Sequence, residues 1–228
     1  MWEDLFGYRF DPSDTMVLIA AGIALVVVAV SVLWRLARHV ITIVHEAGHA
    51  LVAVLSGRRL ASIRLHSDTS GLTVTKGKPY GPGMVLTGFA GYVAPSLLGL
   101  GFAALLGADR VTALLVACVV LLVGVLMWVR NVYGVFSVLV TGAVLVGVAW
   151  WAKGEVQAAF AHVITWFLLL GGLRSVVELQ GKRRRGRARD SDADQLARLT
   201  GTPGLLWVGM FFLVNLGALA LAAMWLLG

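Results

Sequence analysis

Apolar residues fall in long runs, over residues 16–34, 40–56, 84–106, 111–129, 132–151, 157–179 and 205–227. Each run approaches the roughly 20 residues that a helix needs to cross a hydrocarbon core of about 30 Å. Six predict membrane spans. The run at 40–56 is different, because His45, Glu46 and His49 sit in its middle, and it predicts a helix that either crosses or dips into the membrane. Between 57 and 83 the pattern turns polar, with "ASIRLH", "SDTSG" and "LTVT" reading as two short strands around a turn. "GKPYGPG" closes that segment with turn residues.

These elements predict an all-α polytopic membrane protein of six to seven transmembrane or membrane-dipping helices, with a short β-hairpin after the helix bearing His45. The whole chain, 1–228, reads as a single domain. It comprises an N-terminal tail (1–15), the hairpin loop (57–83), a basic loop with an acidic motif (180–200) and a last span (205–227). Trp34, Trp128, Trp150, Trp151, Trp207 and Trp225 fall near proposed span ends, where interfacial aromatics are expected.

Composition agrees: 59% of residues are hydrophobic and only 14% charged, against about a quarter charged in soluble domains. The formal charge of +7 would suit nucleic acid, but its distribution argues against that partner. The basic residues concentrate in "KRRRGRAR" at 182–189, without a folded basic face or interleaved aromatics. A basic loop between spans is expected on the cytoplasmic side, near anionic lipid headgroups. Counting back from it places Arg58, Arg59, Lys76 and Lys78 inside too, and Arg35 and Arg38 outside if the 40–56 helix crosses. A helix that dips without crossing removes that conflict. The single cysteine, Cys118, offers neither a disulfide nor a multi-cysteine metal site. The acidic start "MWEDLFGYRFDPSD" lacks the basic region of a cleavable signal.

His45 and His49 are four residues apart, so on a helix they project from one face, one turn apart. Two imidazoles so placed suit one zinc ion, and Glu46 beside the first is placed to take a proton from water at the metal: the content of H-E-x-x-H. With five histidines and four glutamates in the chain, a chance match is expected about 0.002 times. Each ionisable group at membrane depth also costs roughly 2.5 kcal/mol or more unless partnered, so three within five residues imply a function. A catalytic zinc takes three protein ligands. Residue chemistry leaves the third open between Glu178 and the group Asp190, Asp192 and Asp194 in "RDSDADQLARL". Ordinary roles compete for these: helix capping for Ser191, Asp192 or Asp194, and an intrahelical ion pair with Arg174 for Glu178.

Together, "HEAGHALVAVLSGRRL", "SGLTV", "GFAGYVAPSLLG", "RNVYG" and "SDADQLARLTGTP" resemble the site-2 protease family of intramembrane zinc metalloproteases, in a compact bacterial branch. The resemblance implies one zinc held by His45, His49 and a later aspartate inside a helical bundle, with Glu46 as catalytic base. The N-P-x-x-x-x-D-G or L-D-G pattern of the better-known branches does not occur. "SDAD" takes its place, with Asp192 as the match and Asp194 and Glu178 as alternative ligands. It further implies a bacterial cytoplasmic membrane, a membrane-protein substrate and an edge on residues 61–75 for an extended segment of it. Asn131 in "RNVYG" is either a transition-state or orienting residue or a partner for backbone at a helix end. His39, His66 and His162 lack a spaced partner and read as interfacial or surface residues. Two other readings are a membrane H-E-x-x-H protease with Glu178 as third ligand, and a non-enzymatic metal-binding scaffold or transporter. The two related halves common in transporters are not visible here.

Overall fold

The computed structural model describes residues 13–188 and 190–228. The acidic residues Glu3, Asp4 and Asp11 of the tail, and Arg189 of the basic run, lie outside the described residues. Elements follow in the order α1 (Asp14–Ala29), α2 (Ser31–Leu55), β1 (Arg59–Leu65), β2 (Gly71–Lys76), α3 (Pro82–Gly107) and α4 (Val111–Trp128). They continue with α5 (Val132–Trp151), α6 (Gly154–Arg184), α7 (Asp192–Thr200) and α8 (Gly204–Leu227). Among the described residues, five helices are long and apolar enough to cross a membrane, α3 to α6 and α8, and the bent pair α1–α2 makes a sixth candidate. The protein is an all-α integral membrane protein with one small sheet.

The expected first span, 16–34, is corrected. Helix α1 ends at Ala29, Val30 takes extended backbone (φ −78°, ψ 117°), and α2 restarts at Ser31 after a bend of 101°. Trp34, Arg35 and Arg38 therefore belong to the helix that bears His45. Packing accounts for the break, since α1 lies mainly against α6 while α2 lies mainly against α3. Trp34 is also not interfacial: it is buried in the core and donates its Nε1–H to Glu178. Trp207 is buried as well, bonded to Thr202, whereas Trp150 and Trp151 are exposed as expected.

Helix α6 runs further than its apolar stretch and takes in Lys182, Arg183 and Arg184 as its last turn. Cations there complement the partial negative charge of a helix C-terminus. Helix α7 starts at Asp192 after Ser191 and stops at Gly201, whose φ of 71° is the left-handed conformation that a glycine supplies without strain. Its Ala193 and Leu196 are fully buried among Val93 of α3, Val176 and Leu179 of α6, and Trp207, Val208 and Phe211 of α8. That cluster fixes the roll of α7 about its own axis.

The hairpin pairs antiparallel, from Arg59 opposite Lys76 to Leu65 opposite Gly71, with an irregularity between Leu60 and Ser62. Its Ile63 and Leu65 bury against Ile43 and Ala50 of α2, Val125 of α4 and Val138 of α5. The far edge of β1 is covered: Ile63 bridges Val129, and Arg130 N–H donates to the Ile63 carbonyl. Strand β2 pairs only with β1 among the described residues, which leaves its other edge open.

Candidate metal centre

The local rule of helix periodicity brings His45 and His49 onto one face of α2, and their Nε2 atoms lie 3.1 Å apart. Helix α7 delivers Asp192 across from them, with Oδ2 3.2 Å from each Nε2. The three atoms form a nearly equilateral triangle. In a tetrahedral zinc site with Zn–N of about 2.0–2.1 Å, ligand atoms lie roughly 3.3 Å from one another, so the triangle fits such an ion with one position left open. The donor chemistry fits too. The Thr87 carbonyl, 2.7 Å from His49 Nδ1, can only accept, so that nitrogen carries the proton and Nε2 presents its lone pair. The His49 lone pair, the Asp192 carboxylate and His45 Nε2 converge on one point, an arrangement that a cation stabilises.

The space around the triangle is cut to size. A Cβ on Gly91 would stand 2.3 Å from His49 Nε2 and 2.7 Å from His45 Cε1. Tyr92 meets the His45 ring edge-on at 4.8 Å between centroids and stacks on Phe211 at 5.0 Å. Glu46, next to the first histidine, is buried and meets the hairpin. Its Oε2 accepts a hydrogen bond of 2.6 Å from the Thr73 hydroxyl. These groups open on a cleft of about 430 Å³, bounded by residues 69–73 of the hairpin and reaching Arg38, Glu178 and Lys182.

Residues 18–222 match the protein family described as peptidase M50B-like. This chain belongs to the site-2 protease family. No curated protein and no solved structure matches it. The family makes the M50B-like chain a membrane metalloprotease in general terms, and His45, His49 and Asp192 are the described residues that lie together as a metal-ligand group.

The two alternative ligands of this M50B-like chain are engaged elsewhere. Glu178 accepts from Trp34 Nε1 at 2.7 Å and Arg174 Nε at 3.2 Å, with Arg38 at 3.4 Å. Asp194 pairs with Arg183 at 2.9 Å and accepts from the Ser191 hydroxyl at 2.6 Å. That ion pair helps seat α7. Asn131 reaches no metal-site residue: its amide donates to the Leu65 carbonyl (2.7 Å) and accepts from the Leu65 N–H (3.1 Å), as a strand partner would. It thereby clips β1 to the start of α5. His39 bonds Tyr133 and His66 is exposed beside Ser70. His162 is corrected from surface to core: it is buried and bonded to the Ala158 carbonyl.

Several residues of the site carried no signal of their own in the sequence. Thr73 and Gly71 touch Glu46 only because the hairpin folds over α2. Asn215 and Ser96, both fully buried, bond each other, and Asn215 also donates to the Tyr92 carbonyl. This lies beside Pro95, whose missing N–H interrupts the α3 ladder.

Proposed function

We propose that the chain is a zinc-dependent intramembrane endopeptidase that cuts membrane-embedded or juxtamembrane segments of other membrane proteins. The observation that supports this most is the Nε2–Nε2–Oδ2 triangle of His45, His49 and Asp192, with Glu46 lining the same cleft. One ion per chain suits three ligands. When bound there, zinc would supply Lewis acidity, polarising a carbonyl and making water acidic enough to attack near neutral pH.

The chain's own groups do the rest. His45, His49 and Asp192 hold the metal, with the Thr87 carbonyl keeping His49 in the required tautomer. Glu46 takes up a proton at its carboxylate and returns it to the departing amine. A peptide in a helix is shielded by its own hydrogen bonds and has to be extended before it can be cut. The open edge of β2, beside Glu46, offers backbone partners for such a segment. On this reading residues 61–75 are the substrate-holding surface. The cleft opens towards Lys182 at the basic end of α6, which the positive-inside bias sets on the cytoplasmic side. Substrate then meets the site near that face.

The test is Glu46→Gln in purified protein reconstituted with co-expressed single-span membrane proteins. Zinc content should stay at one per chain while cleavage disappears. Undiminished cleavage by that variant would refute the role of Glu46. Bound zinc with no cleavage by the wild type would point to a metal-binding scaffold instead.

A further inference from the structure

Glu46 is held from outside its own helix. Strand β2 turns Gly71, Thr73 and Thr75 towards the bundle and leaves Leu72, Val74 and Lys76 exposed. Thr73 Oγ1 lies 2.6 Å from Glu46 Oε2 and 3.1 Å from the Glu46 backbone carbonyl. A hydroxyl has one proton, and the shorter contact to the charged acceptor claims it, at the length of a charge-assisted bond. The other carboxylate oxygen faces Gly71, where a Cβ would stand 2.4 Å from Oε1. One oxygen is thus tethered by a side chain and the other confined by bare backbone of the same strand.

The strand is itself anchored at several points. Thr42 Oγ1 of α2 donates to the Thr69 carbonyl at 2.9 Å, and Arg58 donates to the Thr75 hydroxyl at 3.0 and 3.2 Å. Asn131 grips Leu65 on the partner strand from the other side. A carboxylate on a flexible side chain, left alone, would sample several rotamers; here the hairpin selects one.

We propose that Thr73 is a positioning residue for the general base: its hydroxyl aims the Glu46 carboxylate. The hairpin is then part of the catalytic machinery as well as a surface for substrate. This rests on Glu46 being the base, and the experiment separates the two ideas. Zinc-loaded wild type, Thr73→Val, Thr73→Ser and Glu46→Gln are prepared in detergent with ¹³Cδ-labelled glutamate. The chain has four glutamates, and the Glu46 resonance is the one that Glu46→Gln removes. Turnover is followed on a quenched fluorogenic peptide whose apolar span is interrupted by glycine and proline.

Thr73→Val should displace the Glu46 resonance and lower kcat about 10- to 100-fold, a part of what a positioned base contributes. KM and zinc content should hold. Thr73→Ser, which keeps the hydroxyl, should restore both resonance and kcat to near wild type. An unmoved resonance with wild-type kcat in Thr73→Val overturns the proposal. So does an equal loss in Thr73→Ser, which would make the contact one of shape only. Cleavage by Glu46→Gln would instead remove the base assignment, and absence of cleavage by the wild type would remove the protease reading. In either case the resonance alone decides whether the hydroxyl holds the carboxylate.

Discussion

Replacing Gly91 by alanine adds one methyl group and should empty the metal centre. The new Cβ would stand 2.3 Å from His49 Nε2, 2.5 Å from His49 Cε1 and 2.7 Å from His45 Cε1. Ordinary contact between such atoms needs about 3.5 Å, so at least one imidazole must retreat by roughly 1 Å. Retreat is opposed because it would stretch the bond between His49 Nδ1 and the Thr87 carbonyl, 2.7 Å long. Metal–ligand distances tolerate only about ±0.2 Å. Losing an outer-sphere partner alone weakens a site about 10- to 100-fold, and displacing a ligand by this much should reach at least the upper end. The assay is competition for zinc against a chromophoric chelator, with metal analysis of the purified protein. Gly101→Ala is the control, since it lies on the same helix and its Cβ would meet nothing within 4 Å. Wild-type zinc affinity in a folded Gly91→Ala protein would show that the imidazoles do not bind metal from these positions.

Asp192→Ala should likewise abolish stoichiometric zinc, whereas Glu178→Ala and Asp194→Ala should retain it, because those carboxylates are engaged by Trp34 and Arg174, and by Arg183. Metal analysis of the three variants side by side checks this, and zinc loss in Glu178→Ala alone would reverse the assignment. Asn131→Ala breaks two bonds to the Leu65 backbone and leaves that strand's N–H and C=O unpaired, a loss of about 1–3 kcal/mol. Thermal unfolding in detergent should report lower stability with zinc content intact; full stability would mean that water replaces the amide.

Much of the site was legible because its signals are local. The four-residue spacing of His45 and His49 needs only helix periodicity to become a shared face. The hairpin announced itself through β-branched runs around "SDTSG", and the spans through their length. The choice of Asp192 over Asp194 was of another kind. Residues two apart on a helix point about 200° away from each other, so only one faces the histidines. Which one does is set by how Ala193 and Leu196 bury α7 against α3, α6 and α8. The break at Val30 had no glycine or proline to mark it, and Trp34 could not be told from an interfacial aromatic until Glu178 was seen opposite.

From composition and spacing alone it followed that this is a helical membrane protein, and that H-E-x-x-H puts two imidazoles and a carboxylate together in the pattern of a metal motif. Those conclusions depend on quantities that neighbouring residues share: transfer free energy summed over a run, and the angle between successive side chains. The third metal-facing carboxylate, the hydroxyl that holds Glu46 and the burial of His162 were settled by folding. Each depends on which segment, distant in the chain, comes to lie opposite, and local periodicity assigns a residue to a face of its element without saying what that face will meet.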